Sequence, residues 1–113
     1  MNRRGGPAED LAAAFLERQG LAILARNYRC RFGEIDLVAA SGRSLVFVEV
    51  RARTSEAFGG AAASITASKR RRLVAAARHY LARTRQDRAC RFDVVLVRGP
   101  GRDVEWLQDA FGA

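Results

Sequence analysis

Two carboxylates stand where carboxylates are expensive. Asp36 interrupts the apolar run Ile35-Asp36-Leu37-Val38, and Glu49 interrupts Val46-Phe47-Val48-Glu49-Val50. Both segments have the period-two content of β-strands. Between them lies Ser41-Gly42-Arg43-Ser44, and Gly at the first central position of a two-residue loop signals a type II′ hairpin. That turn pairs Ser41 with Ser44, which brings Asp36 opposite Glu49 and Glu34 opposite Arg51. Directly opposed residues have Cβ atoms roughly 4.5–5.5 Å apart, and like charges there repel. The pair therefore asks for a cation. A hard divalent ion such as Mg²⁺ is held by one or two carboxylates plus waters and phosphate oxygens. Arg51, on the same face as Glu49, is placed to touch such a phosphate. The alternative is a solvated cluster in which Arg51 and Arg53 simply neutralise the acids.

The elements that must hold this pair can be read around it. In the same register one hairpin face is apolar throughout: Ala39 with Val46, Leu37 with Val48, Ile35 with Val50. The other is apolar only near the turn, so the hairpin belongs in a sheet covered on both sides. Residues 1–6 read as a mobile N-terminal arm, and residues 7–113 as a single domain. Pro7 suits the first helical position, Ala8-Glu9-Asp10 makes an acidic first turn, and Gly20 stops the helix. Glu9 favours that helix terminus whatever else it does. Residues 21–31 suit a strand, 34–40 and 44–51 form the hairpin, and 54–65 read as a loop. Over 66–85 the spacing predicts a second helix. Leu73, Val74, Ala77, Tyr80, Leu81 and Thr84 fall on one side, with Arg71, Arg72, Arg78, His79, Arg83 and Arg85 on the other. Residues 91–98 form a further strand, ending at Gly99-Pro100-Gly101, and 103–107 a fifth. Asp93, early in its apolar strand, reads as a structural hydrogen-bonding partner. His79 reads as exposed. The order α-β-β-β-α-β(-β) predicts an α/β fold with a central mixed sheet flanked by helices.

Charge adds a partner class. The net charge is +8, and residues 65–91 carry all of the excess, with nine basic residues against Asp87. Lys69-Arg70-Arg71-Arg72 opens the second helix, and Arg78 follows. A one-sided positive block is the footprint of a polyanion such as nucleic acid; a solvated helix face is the alternative. No aromatic residues interleave with this basic helix as a base-stacking platform would require. Apolar runs such as Leu45-Val46-Phe47-Val48 are far too short to span a membrane. Two cysteines, Cys30 and Cys90, and one histidine cannot build a four-ligand zinc site. With no sign of secretion the thiols are expected reduced and half-buried, and the compartment is expected to be the cytoplasm.

Gly33-Glu34-Ile35-Asp36-Leu37-Val38, followed by Val46-Phe47-Val48-Glu49-Val50-Arg51-Ala52-Arg53, resembles the YraN family of small bacterial proteins. The resemblance continues through Phe58-Gly59-Gly60-Ala61-Ala62-Ala63-Ser64-Ile65-Thr66, Lys69, Cys90-Arg91-Phe92-Asp93-Val94-Val95 and Glu105-Trp106-Leu107-Gln108-Asp109-Ala110-Phe111. That family is similar to the restriction-endonuclease-like superfamily, including archaeal Holliday junction resolvases. The resemblance implies a restriction-endonuclease-like domain and a metal-dependent nuclease motif, an Asp and then Glu-x-Lys on the next strand. Asp36 and Glu49 match the two acids and the Val50 carbonyl the third ligand of one Mg²⁺ or Mn²⁺; Glu9 looks like the first-helix acid of the resolvases. Resolvases of this fold act as dimers on two-fold symmetric junctions, so the resemblance extends to a homodimer and to structured or branched DNA. The departure is Arg51 where the superfamily has Lys. Arg stays charged and is no general base, but it can clamp a phosphate. Glu34 is expected to pair with Arg51, with a direct metal role as the alternative.

These readings lead to an endonuclease in which Asp36, Glu49 and Val50 hold the metal, Arg51 faces the scissile phosphate, and Arg53, Lys69, Arg70, Arg71, Arg72 and Arg78 grip the backbone. Two rivals stand beside it. One is a non-catalytic nucleic-acid-binding module on the same scaffold, the other an interaction protein whose basic helix meets an acidic partner.

Overall fold

Helix α1 (Pro7–Arg18) begins where the reading places it, with Pro7 in the first turn and Glu9 and Asp10 beside the helix N-terminus. It buries Ala12, Ala13 and Leu16, and Gly20, at φ 96°, turns the chain out of it. Four strands and a second helix follow in the computed structural model: β1 (Ala22–Cys30), β2 (Gly33–Ser41), β3 (Ser44–Arg53), α2 (Ala67–Thr84) and β4 (Cys90–Arg98). The last element is β5 (Asp103–Phe111). The structure describes residues 6–53, 65–98 and 103–112, with Arg53 described by its backbone. Residues 1–5 of the arm expected over 1–6, most of the 54–65 loop, the Gly99-Pro100-Gly101 turn and the Arg53 side chain lie outside the described residues.

The five strands form one sheet in the order β1-β2-β3-β4-β5. Only β3 and β4 run parallel, which needs a crossover, and α2 lies on it. The sheet is therefore mixed, and the fold is α/β. Helix α1 covers one face, packing Ala12, Ala13 and Leu16 on Leu37, Ala39, Val46, Val48, Val95 and Val97. Helix α2 covers the other, packing Leu73, Ala76, Ala77 and Tyr80 on Ile35, Val38, Leu45, Phe47 and Phe92. Val74 and Leu81 pack partly against that cluster, and Arg71, Arg72, Arg78, Arg83 and Arg85 are exposed. Thr66 caps the helix, its hydroxyl accepting the Lys69 N–H at 3.1 Å, as a Thr N-cap should. No helix among the described residues is long and apolar enough to cross a membrane.

The hairpin register is the expected one near the turn. Gly42 has φ 59°, and the pairs run from Ser41↔Ser44 to Leu37↔Val48. One residue further on the reading fails. Asp36 does not face Glu49 through a continuing ladder; its Oδ2 accepts the Val50 N–H at 2.8 Å. A side-chain oxygen has taken the place of a ladder carbonyl, and β2 leaves β3 there. The alternation breaks with it. Ile35, expected on the face of Leu37 and Val50, packs instead with Val38 and Phe47 under α2. On the other flank Asn27, at φ 53°, lies in β1 between the pairs Arg26↔Leu37 and Tyr28↔Ile35. The fork at Asp36 is thus an irregularity shared by two neighbouring strands.

At the far edge β5 runs to Phe111, four residues beyond the predicted 103–107, with a register shift between Phe92 and Val94. Asp93 holds that irregularity. It is fully buried and accepts from Trp106 Nε1 at 2.9 Å, the Asp109 N–H at 2.8 Å and Arg91 Nε at 3.1 Å. This is the structural partner read from sequence. Both cysteines are free, Cys30 half-buried and Cys90 exposed rather than part-buried as expected.

Candidate active site at the strand fork

Where β2 parts from β3, a cleft of about 160 Å³ opens under α2, lined by Glu34, Asp36, Glu49, Lys69, Arg72 and Leu73. Glu49 is 3% exposed, so its charge needs compensation from within the protein. Lys69 provides it, with Nζ 2.6 Å from Glu49 Oε2, while Arg51 Nη1 lies 3.8 Å from the same oxygen. Burial pushes the Asp36 carboxyl from its ordinary 3.8 up to about 7, and the neighbouring Glu49 charge pushes in the same direction. The Val50 N–H opposes them. Both carboxyls line the same cleft, so each raises the cost of charging the other. The pair is therefore close and cation-hungry, as the spacing implied, though by a different backbone route.

Glu9 reaches the same neighbourhood from the other side. It is 5% exposed, accepts from Asn27 Nδ2 at 2.8 Å and Arg26 Nη2 at 3.3 Å, and its charge also raises Asp36. The left-handed Asn27 is what turns that amide toward α1. Glu9 thus does more than favour its helix terminus. Glu34 lines the cleft but pairs with Arg29 across β1, Nε to Oε1 at 3.9 Å, rather than with Arg51 as expected. The register explains the difference: Arg29 is the direct partner of Glu34, whereas the β2–β3 ladder that would have brought Arg51 opposite is broken by Asp36.

The basic block divides in two. Lys69 and Arg72 point into the cleft, and Arg72 Nη1 donates to Ser68 Oγ at 3.3 Å. Arg70, Arg71 and Arg78 line a separate groove with Val74, Ala75 and Gly112. Arg70 stacks its guanidinium 5.5 Å from the centre of the Phe111 ring and donates to the Ile65 carbonyl. Sequence reasoning placed Lys69 on a nucleic-acid backbone and did not foresee its ion pair with Glu49. A signal was present: Lys69 is the only lysine in a chain whose other nineteen cations are arginine. His79, read as exposed, is half-buried and bonded through Nδ1 to the Tyr28 hydroxyl at 2.5 Å.

Among the described residues no three His, Cys, Asp or Glu side chains converge into a ready-made metal cage. The donors at the fork are two carboxylates, and that set fits an ion of the Mg²⁺ type, which keeps most of its waters or takes phosphate oxygens. The raised Asp36 pKa and the ammonium of Lys69 against Glu49 mark the same demand for positive charge.

Fold and fork together define an α/β protein with an acidic cleft walled by cations. Similarity gives the family. The model described as "Uncharacterised protein family UPF0102", the YraN family, matches residues 8–97. A UPF0102 protein of Nitrosomonas eutropha is 56% identical over 108 residues, 96% of this chain and 92% of that one. One of Methylobacillus flagellatus is 54% identical over the full length of both, and one of Cupriavidus taiwanensis 60% identical over 97% of this chain and 83% of its own. The chain belongs to the UPF0102 family.

Proposed function

We propose that the fork is a metal-dependent phosphodiester-cleaving site acting on structured or branched DNA. The observation that carries this reading is one cleft lined by half-buried Asp36 and buried Glu49, with Lys69 Nζ 2.6 Å from Glu49. Asp36, Glu49 and the Val50 carbonyl would hold one Mg²⁺ or Mn²⁺. Such an ion lowers the pKa of a bound water and neutralises charge on the scissile phosphate. The chain's own residues do the rest. Asp36, whose raised pKa favours its protonated form, would have to lose that proton to serve as a ligand, so ion uptake would release protons. Lys69 moves from its ion pair with Glu49 to the phosphate, where an ammonium is a compact point charge. Arg51, at the margin of the cleft, holds a second phosphate oxygen. Glu9, fixed by Asn27 and Arg26, keeps negative charge behind Asp36 and favours a cation in front of it.

Purified protein with Mg²⁺ or Mn²⁺ is expected to nick duplex, flap or four-way DNA, and Asp36→Ala and Glu49→Ala to abolish the cutting while leaving DNA binding in place. Absence of cleavage on all three substrates removes the catalytic claim. Arg51 favours a second reading, a nucleic-acid-binding module without catalysis, because the motif's lysine is missing from β3. In that case binding persists in EDTA and no substrate is cut with either ion.

A further inference from the structure

Beside the cleft lies a feature that cleavage alone does not require. The β1–β2 turn carries Arg31 and Phe32, both exposed. Phe32 is 41% exposed and, with Leu24, one of two large apolar side chains left so among the described residues. It is not a loose side chain. Its ring meets His79 edge-on at 6.0 Å, His79 is bonded to Tyr28, and Tyr28 packs on Tyr80 at 5.1 Å in the core under α2. Arg31 holds its guanidinium 4.9 Å from the Phe32 ring centre.

The turn is also docked firmly on α2. A Cβ at Gly33 would lie 3.2 Å from the Arg72 carbonyl oxygen, so only glycine permits this approach without a shift. Through Gly33 and Arg72 the turn is continuous with the cleft, since Arg72 and Glu34 both line it. Arg31 lies over the ring, and exposed Arg29 and Arg72 stand on the strand before the turn and on the helix it docks against. An exposed, anchored aromatic ring with a guanidinium over it is complementary to an unpaired base flanked by phosphates. Tyr28-Arg29-Cys30-Arg31-Phe32, running from the end of β1 into the turn, interleaves aromatic and basic residues.

We propose that Phe32 and Arg31 form a stacking platform for an unpaired nucleotide, which positions the junction between paired and single strand at the fork. This inference rests on the nucleic-acid reading above and narrows its substrate to strands with unpaired bases. The test uses the full chain in EDTA, so that nothing is cut, and measures binding of a blunt duplex and of the same duplex bearing a short unpaired tail with 2-aminopurine. Stacking makes the tailed probe bind about tenfold tighter and quenches its fluorescence. Phe32→Ala abolishes both effects, whereas Phe32→Trp retains them. Unchanged thermal unfolding of these surface variants separates recognition from folding. Equal binding of the two probes by the wild type, or an undiminished preference in Phe32→Ala, overturns the platform and leaves the nucleic-acid reading standing. Failure to bind either probe, as DNA or as RNA, overturns both.

Discussion

Asp36 does two jobs whose demands conflict. Its carboxyl replaces a ladder carbonyl toward Val50 and also sits in a half-dry cleft against Glu49. The first job was invisible in the sequence, because an acid in an apolar strand looks the same whether its side chain faces its neighbour or caps the neighbour's backbone. The second was legible, since two carboxylates at matched distances from a two-residue turn must come close. Lys69 was only half legible: its type stood out, but which way a lysine in a run of arginines points depends on the phase of α2 over the sheet. The conflict at Asp36 has a measurable consequence. Its folded pKa of about 7 lies above the ordinary 3.8, so between these values the folded protein binds a proton that the unfolded chain has released. Stability contributed by the protonated form is therefore present at low pH and lost as pH rises through the window. Asp36→Asn keeps the acceptor for Val50 and removes the charge. The variant is expected to melt several degrees above the wild type at pH 8, with the difference vanishing near pH 4. Melting curves by circular dichroism across that range check it, and a variant less stable at pH 8 contradicts the assignment.

Elements were legible to within a residue or two, with one informative exception. Glycine at position 42 fixed the hairpin because its φ of 59° is one that other residues enter at a cost, and the helix phases followed from apolar spacing. The overlooked part was β5, which continues from Leu107 to Phe111. Gln108-Asp109-Ala110 carries no strand pattern of its own, and Asp109 even adopts φ 51°. What extends the strand is a long-range tie, the buried Asp93 carboxylate gathering Trp106, Asp109 and Arg91. Such a tie cannot be read from local pattern, since Asp93 and Asp109 are far apart in sequence. Asp93→Ala leaves the indole and amide donors without their acceptor, and orphaned buried groups cost about 1–3 kcal/mol each. The variant is expected to lose at least about 2 kcal/mol in urea unfolding. Trp106, the only tryptophan, reports the release of β5 directly through its emission. A fluorescence transition preceding the circular-dichroism transition would locate the loss at this edge.

At the scale of the whole molecule, the positive excess that first suggested a polyanion turns out to have two destinations. Lys69 and Arg72 line the acidic cleft, where Glu49 answers the charge of Lys69. Arg71 and Arg78 stand about two turns apart on the outer side of α2, lining the groove beside Val74 and Ala75. If the groove tracks a nucleic-acid backbone, these two arginines neutralise phosphates and release counterions, and each contributes about 0.9 to the slope of log affinity against log salt on a duplex. Arg71→Gln and Arg78→Gln are each expected to flatten that slope by about one and to weaken blunt and tailed probes alike, because phosphate contacts position a strand without reading it. Arg18, exposed at the end of α1 and therefore on the opposite face of the sheet, supplies the control. Removing its charge lowers the net charge by the same amount, so a diffuse effect of overall charge would flatten the slope equally in Arg18→Gln. A groove that holds the backbone requires that Arg18→Gln leave the slope unchanged while the two groove variants reduce it additively.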